Sequence, residues 1–313
     1  ANERYKSAPA DVRTMSDTIA VLALDAADVR LAREWDCENL LLDDHRRLET
    51  YAHSLDFPRT VEVWPTVATG LGPEAHGIAG DGNEWDNPLL RAASSITQYL
   101  PRSVRATLGR PFQQAGQERS LAETDAPHVF EDGAVRYWPG ITPGEHVIEA
   151  WRLMSLASSG EITEEDLRRE LTGFAGEELG WLAVAAEWDV PIAGVHSHVV
   201  DIMGHVYCNR EARLRETYEW ADREVGRLRE RVDRLVICSD HGMQVGWLDD
   251  DDPGTHSFDA LIAAEGVDGP LPESVYDVRQ WLEAEMGEAG PADDRVAQSD
   301  TPTEHLQDLG YME

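Results

Sequence analysis

Apolar runs alternate with segments of helical periodicity along this 313-residue chain. The runs predict buried β-strands at residues 18–28, 190–200, 234–240 and 258–266. The periodic segments predict helices at 38–55, within 62–78 before a Gly-Pro turn, and at 163–188, 210–232 and 274–286. The helix at 163–188 opens with a capping box from Thr163 to Asp166. Strands that alternate with helices indicate an α/β fold with a mainly parallel central sheet and helices on both faces.

Two segments lack this periodicity. Residues 1–16 are polar and predict a mobile N-terminal arm. Residues 84–145 are rich in Pro, Gly and aromatic side chains and predict an irregular cap or insertion. The chain from residue 17 to residue 313 is otherwise expected to form a single domain.

Acidic residues dominate the composition, with 60 Asp and Glu against 27 Lys and Arg and a formal net charge of −33. Lys6 is the only lysine. An acidic, lysine-poor surface is typical of adaptation to molar salt, where a Debye length of about 3 Å removes the repulsion between carboxylates. The alternative is an acidic mesophilic protein that is not adapted to high salt. Either way, the charge argues against binding to a nucleic-acid backbone or to an anionic membrane.

The cysteines indicate a reducing compartment. They are three, widely spaced, and therefore do not suggest a disulfide framework. No apolar run approaches the ~18–20 residues of a membrane span, and the polar start shows no secretory signal. Together these features predict a cytoplasmic protein.

Side chains of the metal-ligand type cluster around the predicted strand ends. They are Asp25 after the first strand, Asp201 and His205 after the second, Asp240 and His241 after the third, and His256 in a turn before the fourth. Taken singly, Asp25 could be a helix N-cap and His205 a hydrogen-bonded loop residue. Ligands of such sheets bind outside the carboxyl ends of the strands, so we expect all six to converge. Three carboxylates and three imidazoles suit two divalent ions, Zn²⁺ with Mn²⁺ as an alternative.

Two longer motifs identify a family resemblance. Residues 69–78 read TGL.P..HGI and residues 239–243 read SDHGM. In this order they resemble the alkaline phosphatase superfamily, specifically its type I phosphodiesterase / nucleotide pyrophosphatase branch. Four further family features occur here in the same order: the strand-end Asp, the D-x-x-x-H pattern, the G-x-H pattern and the C-terminal segment. The C-terminal segment reads HLQDLGYM at 305–312.

This resemblance implies a nucleophile and two metal sites. The family's nucleophilic threonine lies nine residues before Thr69, at Thr60, so hydrolysis would pass through a covalent phospho-threonine. Small phosphate esters or nucleotides would be the substrates. One ion would be held by Asp25, Thr60, Asp240 and His241, and the other by Asp201, His205 and His256.

The chain departs from the family pattern at three places. The glycine after the first aspartate is Ala26, and the Glu-Pro before the second is Val199-Val200. The family's phosphate-binding asparagine corresponds to Asn83 with a gap, because the ungapped position holds Asp81. His196 and His198, which precede the second metal motif, are predicted to pack in the strand or around the site.

The same residues bear on other reaction classes. A sulfatase would need a C/S-x-P-x-R motif, which is absent, and a cofactor-independent phosphoglycerate mutase needs a much larger inserted domain. A phosphomonoesterase stays open, because the side chains that would set ester preference fall within 84–145. A non-catalytic metal-binding protein on the same fold also stays open.

Overall fold

The central sheet is built from short, mostly buried strands. The computed structural model describes residues 17–79 and 122–287, and we number the strands of these residues in chain order. They are β1 (Ile19–Leu24), β2 (Asp44–Leu48), β3 (Ala134–Arg136), β4 (Ile192–Ser197), β5 (Leu235–Cys238), β6 (Gly242–Met243), β7 (His256–Ser257) and β8 (Ala260–Glu265). Six of them form one sheet in the order β2-β8-β5-β1-β4-β3, and β6 pairs with β7.

The sheet is mainly parallel, as predicted. β1 pairs in parallel with β4 on one side and with β5 on the other, and β3 pairs in parallel with β4. Only β8 runs against its neighbours, β5 and β2. The carboxyl ends of β1, β4 and β5 therefore meet at one edge, where the ligand-type residues follow.

Helices cover both faces of this sheet. They are α1 (Val29–Glu34), α2 (Glu38–Leu41), α3 (Thr60–Thr69), α4 (Pro73–His76), α5 (Glu145–Ser159), α6 (Glu164–Ala185), α7 (Val199–Tyr207), α8 (Glu211–Arg229) and α9 (Val278–Met286). Alternate residues of β1 enter two different cores: Ala20 and Leu22 pack with α6, α7 and α8, whereas Ile19 and Val21 pack with α3 and α9. A sheet buried on both faces explains why the strands read as continuous apolar runs. The predicted capping box of α6 is confirmed.

The predicted helix at 38–55 is wrong beyond its first turn. The helix α2 ends at Leu41, Leu42 adopts a positive φ of 51°, and the chain then enters β2. β2 is an edge strand whose side chains are largely exposed, with only Leu48 buried, so it lacks an alternating apolar pattern. Pairing with β8 decides its conformation, against the local helical spacing.

The predicted insertion at 84–145 needs a partial correction. Residues 134–136 form β3, which is part of the central sheet, and Phe130 and Trp138 lie in the core beneath it. The segment from 122 onward therefore belongs to the main domain. The sequence pattern also did not predict α5. The predicted arm at 1–16, residues 84–121 and the segment 305–312 lie outside the described residues. Within the described ranges, no helix is both long and apolar enough for a membrane span.

Candidate metal centre

Asp25, Thr60, Asp240 and His241 meet at the carboxyl edge of the sheet. Asp25 directly follows β1, Asp240 and His241 follow β5 after Ser239, and Thr60 is the first residue of α3. The Thr60 Oγ1 atom lies 3.5 Å from Asp25 Oδ1 and 3.2 Å from His241 Nε2. The same Nε2 lies 3.2 Å from Asp25 Oδ1 and 3.3 Å from Asp240 Oδ2. All four side chains are buried, and Thr60 keeps slight exposure.

Asp201, His205 and His256 form the adjoining group. Asp201 and His205 stand one turn apart on α7 and therefore face the same way. His256 lies in β7, not in the predicted turn, and the pairing of β7 with β6 anchors it beside His241. The His205 Nε2 atom is 3.2 Å from Asp201 Oδ1, and His256 Nε2 is 3.6 Å from the same oxygen.

The two groups are contiguous. The rings of His241 and His256 stack with their centroids 3.6 Å apart. Ligand atoms of Asp201, His241 and His256 lie within 4.8 Å of one another, as do those of Asp25, Asp240 and His241. The six side chains expected to converge therefore do so, while their division between two ions stays a prediction.

Backbone carbonyls set the tautomers of three imidazoles in the cluster. Each ring places Nδ1 within 3.0 Å of a carbonyl oxygen, which can only accept a hydrogen bond. The pairs are His205 with Gly254, His241 with Gly242, and His256 with Pro58. In the neutral rings the Nε2 lone pairs then face the cluster, which is the arrangement that a histidine needs to bind a metal.

The carboxylates are crowded in a site excluded from water. Burial raises the pKa of Asp25, but the charge of His198 and hydrogen bonds from His196, His198 and His241 outweigh it and hold this pKa well below its usual range. Burial and the charge of Asp25 raise the pKa of Asp240 well above its usual range. Burial lowers the pKa of His241, yet the charges of Asp240 and Asp25 raise it to about 10. Without bound cations, protons on Asp240 and His241 therefore offset the negative charge of the carboxylates, which cations would otherwise neutralise.

Two buried oxygens support the fit to cations. Asp201 Oδ1 and Asp240 Oδ2 are buried and, among the residues that the structure describes, make no hydrogen bond, although His205 Nε2 and His241 Nε2 lie 3.2 Å and 3.3 Å from them. A buried carboxylate oxygen without a partner is costly unless a cation binds it. The nitrogen and oxygen donors around both atoms suit zinc-type ions.

Comparison with models of protein families shows to which family this chain belongs. A model of the type I phosphodiesterase / nucleotide pyrophosphatase family matches residues 41–252. The chain belongs to this family. It is a metal-dependent phosphoester hydrolase, as the ligand cluster at the sheet edge also indicates. The family resemblance indicated by the sequence motifs is therefore confirmed.

Solved structures give further similarities at low identity. The PH0037 protein from Pyrococcus horikoshii is 11% identical with a TM-score of 0.44, over 88% of this chain and 98% of that one. An alkaline phosphatase from the Antarctic bacterium TAB5 is 11% identical with a TM-score of 0.43, over 86% of this chain and 97% of that one. The comparison with curated proteins gives no match.

Two histidines of this phosphodiesterase-family protein contribute more than strand packing. His196 Nε2 lies 3.0 Å and His198 Nδ1 2.6 Å from Asp25 Oδ2, the oxygen that faces away from Thr60. Burial lowers the pKa of His198, but the charges of Asp25 and Asp201 raise it to about 9 in the metal-free cluster. The available signal was the position of both histidines at the carboxyl end of a strand: His196 lies in β4, and His198 directly follows Ser197 as the N-cap of α7. Asn83, the predicted phosphate contact, lies outside the described residues.

Ala26 carries backbone strain at the position where the family has glycine. Its φ is +57°, a left-handed conformation that costs a non-glycine residue about 1–2 kcal/mol. This conformation points its N–H toward Asp240 Oδ1, 3.4 Å away. The left-handed turn after β1 thus coincides with a contact between the Ala26 backbone and the Asp240 carboxylate.

Exchanging this residue for glycine tests the strain. Ala26 and Ala27 are both fully buried, but only Ala26 has a positive φ. Ala27→Gly should lower the free energy of unfolding through the lost methyl group and the greater freedom of the unfolded chain. Ala26→Gly should lower it by about 1–2 kcal/mol less, because strain is relieved. Urea denaturation measures both, and equal destabilisation would contradict the strain.

Proposed function

We propose that this protein is a phosphodiesterase of the nucleotide pyrophosphatase type, acting on small phosphate esters or nucleotides through a covalent phosphate on Thr60. Two Zn²⁺ ions, with Mn²⁺ as the alternative, would serve it. One would be bound by Asp25, Thr60, Asp240 and His241, and the other by Asp201, His205 and His256. The observation that carries the proposal is the position of the Thr60 hydroxyl, in contact with Asp25 and His241 at the start of α3.

The surroundings of Thr60 suit attack on phosphorus. The N-terminal end of a helix carries partial positive charge, which favours a negative phosphoryl group beside Thr60. The Thr60 hydroxyl releases its proton to water as the bond from Oγ1 to phosphorus forms and the bond to the leaving oxygen breaks, and the leaving oxygen takes up a proton from water. The oxygen of a second water molecule then forms a bond to phosphorus as the bond between Oγ1 and phosphorus breaks, and a proton of that water restores the Thr60 hydroxyl. Bound divalent cations would stabilise charge on the attacking and leaving oxygens.

The role of Asp25 follows from its two oxygens. Oδ1 lies 3.5 Å from Thr60 Oγ1 and accepts its hydroxyl proton in a hydrogen bond. Oδ2 is held by the rings of His196 and His198. The carboxylate is therefore fixed in orientation on one side while it aligns the nucleophile on the other.

Parallel hydrolysis of three chromogenic esters tests the reaction class. Bis(p-nitrophenyl) phosphate, p-nitrophenyl phosphate and p-nitrophenyl sulfate would be compared in potassium chloride with added zinc or manganese. The proposal predicts that kcat/KM is highest for the diester. A higher kcat/KM for the monoester would make the protein a phosphatase, and a higher value for the sulfate ester would overturn phosphoester chemistry.

We also propose that the protein is salt-adapted, from its net charge of −33 and its single lysine, and cytoplasmic, from its three widely spaced cysteines. The melting temperature should rise steeply from about 0.1 M to about 3 M potassium chloride, because the Debye length falls from about 10 Å to below about 3 Å and carboxylate repulsion is screened. Differential scanning calorimetry of the metal-loaded protein measures this. Equal melting temperatures at the two concentrations would rule out salt adaptation.

A further inference from the structure

Asp28 is a fully buried carboxylate outside the group of proposed metal ligands. It lies three residues after Asp25, at the N-cap of α1. Its Oδ1 accepts hydrogen bonds from the backbone N–H and the Nε of Arg30, at 2.8 Å and 3.2 Å. Its Oδ2 accepts from Arg30 Nη2 at 2.9 Å, from the Met243 N–H at 3.1 Å and from Ser257 Oγ at 3.2 Å. An ionised carboxylate can only accept, so it suits these five donors.

Met243 and Ser257 belong to the two strands that carry ligand histidines. β6 begins directly after His241, and Met243 is its second residue. β7 consists of His256 and Ser257. The Asp28 carboxylate therefore connects the strand that follows one ligand to the strand that contains another.

Asp28 and Arg30 together bind the backbone of β6. Met243 lies opposite His256 in the pairing of β6 with β7. Its N–H donates to Asp28 Oδ2, and its carbonyl accepts from Arg30 Nη2 at 3.1 Å. Burial raises the pKa of Asp28, and the hydrogen bonds and charge of Arg30 partly offset this, so the guanidinium stabilises the carboxylate form. The ion pair thus holds both backbone groups of the residue opposite His256.

Gly242, the glycine of the SDHGM motif, makes room for this contact. A methyl group on its Cα would lie 2.4 Å from Asp28 Oδ2 and 2.6 Å from Ser257 Oγ. Both separations are far shorter than a van der Waals contact of about 3.5–4.0 Å. The chain after His241 can therefore approach the buried carboxylate this closely only because the residue there is glycine.

We propose that Asp28 is a positioning residue of the metal centre, which fixes the strands of His241 and His256 relative to each other and to the turn after Asp25. It acts through the backbone of β6 and through Ser257, because its hydrogen bonds go to neither imidazole. The inference rests on the proposed function, since it takes these histidines as ligands of the catalytic ions.

Asp28→Asn tests the positioning role with almost no change of size. In either orientation the amide sets its NH₂ group against N–H donors of Arg30 or Met243, so the connection to the strands should weaken. Loss of a group that orients metal ligands lowers metal affinity by roughly 10–100-fold, and competition with a chromogenic chelator should show this loss for zinc. With Co²⁺ in place of zinc, the visible absorption bands should change in position or intensity, because ligand geometry determines them.

Asp222→Asn is the matched control. Asp222 Oδ1 also accepts from backbone N–H groups, those of Asn39 and Leu40 at 2.7 Å and 3.1 Å, but it holds α2 and not a ligand strand. This variant should lower the free energy of unfolding in urea and keep the zinc affinity and cobalt spectrum of the parent. Equal losses of zinc affinity in the two variants would make Asp28 a residue of general stability and overturn the proposal.

Ser257→Ala supplies a second variant in case Asp28→Asn does not fold. It removes one of the five hydrogen bonds to Asp28 and should weaken zinc binding by a smaller factor. Zinc affinity and a cobalt spectrum like those of the parent, in either variant, would overturn the proposal. A parent protein that binds no zinc would refute the metal site of the proposed function and this inference with it. These measurements need no substrate, so they remain decisive if the protein hydrolyses no diester.

Discussion

Thr60→Ala should lower kcat for a phosphodiester by roughly 10³-fold or more, as deletions of a catalytic nucleophile do. The substitution removes the oxygen that would carry the phosphate. It leaves Asp25, Asp240 and His241 as three ligands within 4.8 Å of one another, so zinc content should change little. Steady-state kinetics together with elemental analysis of the purified variant measure both quantities.

Neighbouring threonines supply the matched controls for this substitution. Thr66 Oγ1 contacts Tyr51 and His76, and Thr69 Oγ1 donates to the Pro65 carbonyl, so their alanine variants should affect stability instead of kcat. Thr60→Ser keeps a hydroxyl and should retain part of the activity. A Thr60→Ala variant within about tenfold of the parent, a barrier change of only ~1.4 kcal/mol, would exclude the covalent intermediate.

Removal of the cations should abolish hydrolysis and lower the melting temperature by several degrees. Chelation leaves Asp25, Asp201 and Asp240 buried together without their counterions. An ion whose free concentration is 100 times its dissociation constant stabilises the folded state by about 2.7 kcal/mol, and a second bound ion stabilises it further. Thermal melting before and after treatment with a chelator measures the loss, and a chelator already saturated with zinc is the control. Full activity in a metal-depleted sample would contradict the assignment.

The pKa shifts within the same cluster determine how zinc affinity changes with pH. Burial and Asp25 raise the pKa of Asp240, and the charges of Asp240 and Asp25 raise that of His241 to about 10 against the effect of its burial. Protons therefore compete with cations at His241 below about pH 10, and at Asp240 above the usual titration range of a carboxylate, so zinc affinity should fall as the pH is lowered. The same competition means that chelation near neutral pH takes up protons.

The sequence predicted the parts of the fold whose periodicity is unambiguous. The strands at β1, β4, β5 and β8 read as apolar runs because both faces of the sheet are covered by helices. The capping box at Thr163 placed the start of α6 within a residue. The strand β2 was missed because an exposed edge strand needs no apolar alternation, and its pairing partner β8 lies more than 200 residues away.

The site was predictable to the extent that strand topology dictates it. Residues at the carboxyl ends of neighbouring parallel strands lie at the same edge of the sheet, so the proximity of Asp25 and Asp240 follows from the sequence pattern alone. The hydrogen bond from Trp151 Nε1 to His198 Nε2 was not predictable, because it depends on how α5, a helix absent from the sequence-based prediction, packs against Val61. Long-range packing of this kind leaves no local pattern in the chain.

Anomalous X-ray scattering at the zinc edge, from crystals grown with zinc, tests the central claim most directly. We expect two peaks next to Thr60, each about 2.0–2.2 Å from its nitrogen and oxygen ligands. One would be bonded to Asp25, Asp240 and His241, and the other to Asp201, His205 and His256. A single ion in this cluster, or zinc bound only elsewhere, would contradict the two-metal site.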